Sequence, residues 1–319
     1  MGDGSPALVV HPGALGDVLQ AVPALRALRS AGPLTFAGQP RLGRLLHGAR
    51  VVDAALDFDS LGLEALFTRD ADPVRLLARL AGFGRVVSWF GAHDEIYPDR
   101  LRAVAAECVI ASPVPTAESA VPVWRHLLAT VGSASSVPGP PLEIPRSWRD
   151  QAERALTELG TPGAPLVLIH PGAGGRWKIW PAEKMAAVIA EVAAMTEVRF
   201  LVHEGPADRE AAERLAGIAG VPLRRLVEPE LPLLGGVLGR ASAYLGADSG
   251  VSQLAAAVGA PAVIIYPAAT RAMWAPWSPT ARALAISEDA AQPREVAAAL
   301  CERLTGERAG AGWAHVPGA

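Results

Sequence analysis

The chain is nearly without lysine: of 29 basic residues only Lys178 and Lys184 are lysines, which leaves 27 arginines. Basic charge is not in excess either. Against 32 acidic residues the formal net charge is −3, which argues against a general nucleic-acid binder, a class that relies on surplus cations to displace counterions from phosphates. Cysteine is scarce. Cys108 and Cys301 lie far apart with no metal-ligand spacing, as expected of buried thiols in a reducing compartment. No apolar run approaches the ~20 residues that cross a bilayer. Met1-Gly2-Asp3-Gly4-Ser5-Pro6 carries neither the basic nor the apolar part of an export signal. These absences together predict a cytoplasmic protein. Apolar residues, by contrast, are plentiful. Half of the 319 residues are hydrophobic, enough to build two cores.

Strand-like runs alternate with helical patterns. In the first half the runs are Leu8–His11, Leu34–Ala37, Val51–Ala55, Arg85–Trp89 and Cys108–Ala111, with a helix expected over Gly16–Ser30. In the second half they are Leu166–His170, Val198–His203, Ala243–Leu245 and Ala262–Tyr266, preceded by a helix over Ser147–Leu159 and closed by one over Pro293–Leu304. Such alternation predicts parallel α/β sheets. The stretch Gly132–Pro141 is poor in core-forming residues and reads as a linker. The expected division is 1–145, 146–305 and a Gly- and Ala-rich tail, 306–319. An internal echo supports two domains of one kind. Ala7-Leu8-Val9-Val10-His11-Pro12-Gly13-Ala14 and Leu166-Val167-Leu168-Ile169-His170-Pro171-Gly172-Ala173 each end a strand in a His-Pro-Gly-Ala turn.

Ligands of such sheets sit at the carboxyl ends of strands, and five segments there carry candidate chemistry. Leu245-Gly246-Ala247-Asp248-Ser249-Gly250-Val251 runs from a strand through a tight turn into an Ala-rich helix. The helix start aims N–H groups and a positive dipole end at one point, a place for a diphosphate. Asp248 repels phosphate and suits sugar hydroxyls instead, so the turn points to a sugar nucleotide. Helix capping by Asp248 or Ser249 is the plainer alternative. Gly13 and Gly16 allow close approach of a ligand, and Asp17 beside them is either a helix-start carboxylate or a general base. Gly174-Gly175-Arg176-Trp177-Lys178 puts a point charge suited to phosphate on a glycine-rich loop. Glu204 ends a strand and could hold a ribose or simply lie at the surface. Trp274, in an aromatic-rich loop, is a candidate wall of a nucleotide pocket.

At these residues the chain resembles glycosyltransferase family 9, the ADP-heptose:lipopolysaccharide heptosyltransferase family. The matching motifs are Leu15-Gly16-Asp17-Val18-Leu19 with Pro23-Ala24-Leu25-Arg26-Ala27-Leu28, then His170-Pro171-Gly172-Ala173, Lys178-Ile179-Trp180-Pro181, Gly246-Ala247-Asp248-Ser249-Gly250 with Leu254-Ala255-Ala256-Ala257, and Trp274-Ala275-Pro276. They follow the family's order over almost the full length.

The resemblance implies a GT-B fold, two Rossmann-like parallel-sheet domains facing a central cleft. It implies inverting transfer of a heptose or similar sugar from a nucleotide-diphosphate donor such as ADP-heptose, with no metal and no cofactor, to a lipopolysaccharide-core-type glycolipid or saccharide. By resemblance Asp17 is the catalytic base and Lys178 the donor-phosphate cation. Asp248 binds sugar hydroxyls, the N–H groups of Ser249, Gly250 and Val251 lie near the diphosphate, and Glu204 holds the ribose. Gly13, Gly16, Gly172 and Trp274 form site walls. Peripheral contact with the cytoplasmic face of the inner membrane follows from such an acceptor. A small-molecule acceptor and a sugar-nucleotide epimerase remain alternatives. A non-catalytic relative is disfavoured because Asp17 and Lys178 are retained. Two positions depart from the family: Gln20 and Gln253 stand where many members carry His. For a lipid phosphate, Arg41, Arg44 and Arg50 are the candidates to replace missing lysines.

Overall fold

The computed structural model describes residues 4–69, 74–105, 107–116, 119, 121–133, 137–161, 165–286 and 292–305. The expected tail, 306–319, and the middle of the linker, 134–136, lie outside them.

Two fully parallel sheets form. The first contains β1 (Ala7–Val10), β2 (Leu34–Gly38), β3 (Ala54–Asp57), β4 (Arg85–Ser88) and β5 (Glu107–Ile110), in the order β3-β2-β1-β4-β5. The second contains β6 (Leu166–His170), β7 (Arg199–Glu204), β8 (Leu223–Val227), β9 (Ala243–Ala247), β10 (Ala262–Pro267) and β11 (Ala281–Ile286), in the order β11-β10-β9-β6-β7-β8. Helices α1 (Leu15–Gln20), α2 (Val22–Arg29), α3 (Pro40–Gly48), α4 (Val74–Leu80), α5 (Tyr97–Val104) and α6 (Val123–Thr130) accompany the first sheet. Helices α7 (Arg146–Glu158), α8 (Ala182–Met195), α9 (Arg209–Ile218), α10 (Leu231–Arg240), α11 (Gly250–Ala257), α12 (Ala268–Trp274) and α13 (Pro293–Leu304) accompany the second.

Period-two alternation explains the layering, since successive side chains of a strand point to opposite faces. Leu8 and Val10 of β1 pack into one core with Leu76 and Leu101, on the outer face of the first sheet. Ala7 and Val9 face inward, into a core that continues across both sheets through Trp148 of α7, Tyr244 and Ile264. A third core covers the outer face of the second sheet under α8, α9 and α13. Trp148 joins the halves. A Cβ on Gly48 of α3 would come within 2.5 Å of its ring, and one on Gly236 of α10 would come within 2.3 Å of its carbonyl oxygen. Glycine is required at both positions for these elements to meet.

The helix expected over Gly16–Ser30 is two helices that break at Ala21. Pro23 has no N–H to give the carbonyl of Leu19 four residues earlier. That carbonyl instead accepts the Trp277 Nε1–H from the other half, at 2.9 Å. The third strand begins at Ala54, not Val51. Val51 and Val52 are buried ahead of it, and Asp53 turns back to bond the N–H of Leu34 at 2.9 Å. Edge strands β8 and β11 escape the pattern reading. Their Arg- and Ala-rich sequences, Leu223-Arg224-Arg225-Leu226-Val227 and Ala281–Ile286, lack the apolar runs of the central strands. The two thiols are half-buried rather than buried.

Candidate active site

In an open parallel sheet the ligand crevice lies where strand order reverses. The reversals here are between β1 and β4 and between β6 and β9. The turns that follow these strands carry Asp17, Lys178 and Asp248.

The starts of α1 and α11 meet across the two halves. A Cβ on Gly16 would stand 3.5 Å from Gly250 Cα, and one on Gly250 would stand 3.0 Å from Leu15 Cβ and 3.2 Å from the Gly16 nitrogen. The glycines therefore let two helix N-termini, with their unpaired N–H groups, converge on one place. Ser249 caps α11 by accepting the N–H of Ser252 at 3.2 Å, which leaves the N–H groups of Gly250 and Val251 as the open donors of the first turn. Asp248 caps nothing in the structure.

Asp17 lies in the first turn of α1, and its Oδ2 accepts the Ala14 N–H at 2.9 Å. Burial raises its pKa above the usual carboxylate range. The Ala14 N–H and the Lys178 charge oppose that rise, and the Asp248 charge adds to it. Asp17, Lys178 and Asp248 thus lie within electrostatic reach of one another. Lys178 Nζ is 2.8 Å from Asp248 Oδ2. At this distance the ammonium is the partner of this buried oxygen, as in a charge-assisted contact. Lys178 also lies over the exposed Trp177 ring, 5.2 Å from its centroid.

The two glutamines form a clasp between the halves. Gln20 Nε2 donates to Gln253 Oε1 at 3.0 Å and to the Trp274 carbonyl at 3.2 Å. Gln253 Nε2 donates to the same carbonyl at 2.8 Å and to the Tyr266 hydroxyl at 3.1 Å. Both side chains are buried, so neutral amides serve here where a charge would be costly.

Glu204, at the end of β7, has partners of its own. Its buried carboxylate is held by Arg225 of β8, whose Nε donates at 2.8 Å, with Arg209 at 3.8 Å. Asp208, four residues on, stands instead beside the second His-Pro-Gly-Ala turn. A Cβ on Gly172 would fall 1.9 Å from its Oδ1. Asp208 also lies near His170 and His203, whose Nδ1 atoms are 3.1 Å apart and which burial keeps neutral. His170, His203 and Asp208 are the group, among the described residues, whose potential ligand atoms all lie within 4.8 Å of one another. Their separation in sequence hid this cluster. The sequence has two Asp-x-Asp spacings: Asp70 and Asp72 lie outside the described residues, and Asp57 and Asp59 form a turn in which Asp57 accepts the Asp59 N–H at 3.3 Å.

The arginines suggested for a lipid phosphate each have a partner. Arg41 bonds Gln39 near the Gly13 turn, Arg44 reaches Glu230, and Arg50 reaches Glu143 beyond the end of α3. Instead, a cavity of about 550 Å3 opens beside Asp17. His11, Gly13, Trp89 and Phe90 line it from the first half and Trp274 from the second.

Residues 100–302 match the family model of glycosyltransferase family 9 (heptosyltransferase). Lipopolysaccharide heptosyltransferase 3 of Escherichia coli is 30% identical over 138 residues, which are 42% of this chain and 40% of that protein. The match thus spans less than half of the relative. Among solved structures, E. coli ADP-heptose lps heptosyltransferase II superposes with a TM-score of 0.74 at 17% identity, over 95% of this chain and 100% of that one. An E. coli heptosyltransferase with ADP-2-deoxy-2-fluoro heptose superposes with a TM-score of 0.61 at 19% identity, over 94% and 99%. The paired sheets are those of the GT-B fold, and the chain belongs to glycosyltransferase family 9, the heptosyltransferase family.

Proposed function

We propose that the chain is an inverting, metal-independent glycosyltransferase. It moves a heptose from ADP-heptose, or a similar sugar nucleotide, to a lipopolysaccharide-core-type saccharide at the cytoplasmic face of the inner membrane. Residues 1–145 form the acceptor side and 146–305 the donor side. One observation carries this reading: Asp17, Lys178 and Asp248 converge where α1 and α11 start, at the reversal points of both sheets.

In the reaction, Asp17 takes the proton of the acceptor hydroxyl while that oxygen attacks the anomeric carbon. The bond from this carbon to the diphosphate oxygen breaks on the opposite side, which inverts the anomeric configuration. Burial raises the Asp17 pKa and makes it a better proton acceptor than an ordinary carboxylate. Lys178 and the N–H groups at the start of α11 stabilise the charge that develops on the departing diphosphate. Asp248 exchanges its contact with Lys178 for the sugar hydroxyls. Glu204 would hold the ribose by exchanging its contact with Arg225, and Asp208 beside Gly172 is the alternative acid for that role. No helix among the described residues is long and apolar enough to cross a membrane, so contact with an acceptor lipid would be peripheral.

The test is to incubate the purified chain with ADP-β-heptose and a core oligosaccharide and determine the product anomer by NMR. An α-linkage supports inversion. A β-linkage, or release of free heptose only, overturns this reading.

A further inference from the structure

The cavity beside Asp17 has a composition that constrains what can enter it. Its walls come from the turn after β1, the loop after β4, the segment after β5 and the end of α12. Among the described residues, no lysine or arginine lines it. Two carboxylates do, Asp17 and Asp94, and the other titratable side chains lining it among those residues are His11 and His93. An anionic group entering here would lose hydration and meet the charges of Asp17 and Asp94, while Lys178, the cation near Asp17, is outside the lining and paired with Asp248, a costly exchange.

Three aromatic rings form part of the apolar wall, beside Pro12, Pro113 and Val114. Phe90 is fixed edge-to-face against Phe58 and Tyr97, with centroids 5.0 and 5.6 Å away. Trp89 is anchored by its Nε1–H to Thr130 Oγ1 at 2.9 Å. Trp274 brings a third ring from the other half, its carbonyl held by both glutamines of the clasp. Such surfaces suit the flat, apolar face of a ring.

Among the described lining residues, His11 carries a buried ring nitrogen that makes no hydrogen bond within the distance and angle limits of one, although the ring also lies against the Asp17 backbone. His11 is 2% exposed and lies edge-on to Trp89. Its Nδ1 faces the Gly13 N–H at 3.4 Å and so acts as acceptor. In the neutral ring the proton then sits on Nε2, which makes no hydrogen bond. Burial holds this imidazole near pKa 4, so it stays neutral at physiological pH. A buried donor left without an acceptor is costly, and a ligand oxygen would satisfy it.

We infer that this cavity is the acceptor subsite and that it selects an uncharged, hydroxyl-bearing ring, stacked on Phe90 and Trp274 and oriented by a hydrogen bond from His11 Nε2 to a ring substituent oxygen. This rests on the transfer reading for the word acceptor, but the binding preference does not depend on turnover. It narrows the acceptor to a neutral sugar of a core saccharide or to a neutral non-sugar ring, and excludes a phosphorylated or carboxylated one at this position.

The experiment measures binding by saturation-transfer NMR on the full chain saturated with ADP, with no donor sugar present. The probes are methyl α-mannopyranoside, its 6-phosphate, and 4-methylumbelliferone as the non-sugar ring. At least one neutral probe should bind, with ring protons most strongly saturated, and the 6-phosphate should bind at least about 10-fold more weakly. The sugar and the phenol distinguish the two sources of a neutral ring. Phe90→Ala should abolish this binding, and His11→Phe, which keeps a ring against Trp89 without the donor, should weaken it about 3- to 10-fold. Val114→Lys, placed on the cavity wall, should invert the preference by admitting the 6-phosphate, and it leaves the buried histidine untouched should His11→Phe fold poorly. Equal or tighter binding of the 6-phosphate to the parent chain overturns the inference. So does failure of every neutral probe to bind in the tens-of-millimolar range while ADP still binds. Neutral binding without any transfer leaves this inference standing and removes the transfer reading instead.

Discussion

Lys178 Nζ and Asp248 Oδ2 lie 2.8 Å apart, one from the loop after β6 and the other from the turn after β9. Each thereby holds the other in the place where the donor diphosphate and sugar are proposed to meet. The pairing separates their roles. Lys178→Ala should weaken ADP and the full donor alike, about 10- to 100-fold, the size of one charged hydrogen bond. Asp248→Asn frees Lys178 for phosphate, so ADP should bind as well or better while the full donor weakens. Calorimetry of both ligands on both variants decides. Equal weakening of ADP and full donor in Asp248→Asn assigns Asp248 to shaping the turn alone.

Asp17 should show a trade of stability for activity. Its pKa is raised above the unfolded value by burial, so the stability linked to it is complete below the ordinary carboxylate range and is lost as pH rises through the raised value. Keeping it ionised at neutral pH therefore costs stability. Asp17→Asn should melt no lower than the parent at neutral pH, yet turn over on the order of 100-fold more slowly or worse. The acid limb of the parent's rate profile should sit above the normal carboxylate range and vanish in the variant. Near-normal turnover would reduce Asp17 to its bond with Ala14.

The Gln20–Gln253 clasp is expected to contribute to the closed arrangement of the halves. Gln20→Ala leaves the buried Oε1 of Gln253 without its donor, a loss of roughly 1–3 kcal/mol by urea unfolding. Gln253→Ala should cost a similar amount, and the double variant less than the sum, because the two side chains share one bond. Strictly additive losses would mean that the two amides act independently.

Glu204 and Arg225 provide a test by stability rather than binding. Arg225→Ala strands a buried carboxylate and should destabilise by about 3 kcal/mol, with ADP affinity at low temperature nearly unchanged. A selective loss of ADP affinity, with melting preserved, would return Glu204 to the ribose.

Chelation should leave transfer intact, since Lys178 and the α11 start supply the positive charge. Activity is to be measured after dialysis against EDTA. A loss restored by a divalent ion would direct attention to His170, His203 and Asp208.

The local signals in this chain were enough for its central strands, its helix starts and the turns after β1, β6 and β9. Continuous apolar runs demand burial on both faces, and a glycine or small polar residue after each run marks where the backbone must turn. The motifs at Asp17, Lys178 and Asp248 were legible because the chemistry of each resides in a few adjacent residues. Tertiary structure alone decided what those residues face. Gln20 and Gln253 read as departures from a family pattern, and only packing made them partners. Glu204 had the right residue type at a strand end, but the Arg-rich edge strand β8, invisible to apolar periodicity, claimed its carboxylate. Trp277 found the Leu19 carbonyl only because Pro23, far from it in sequence, left that carbonyl free. The cavity beside Asp17 is built from four segments and both halves, so no local window contains it. Sequence periodicity records whether a side chain is buried; the partner it is buried against is fixed by other elements, 21 residues away for Glu204 and 233 for Gln20.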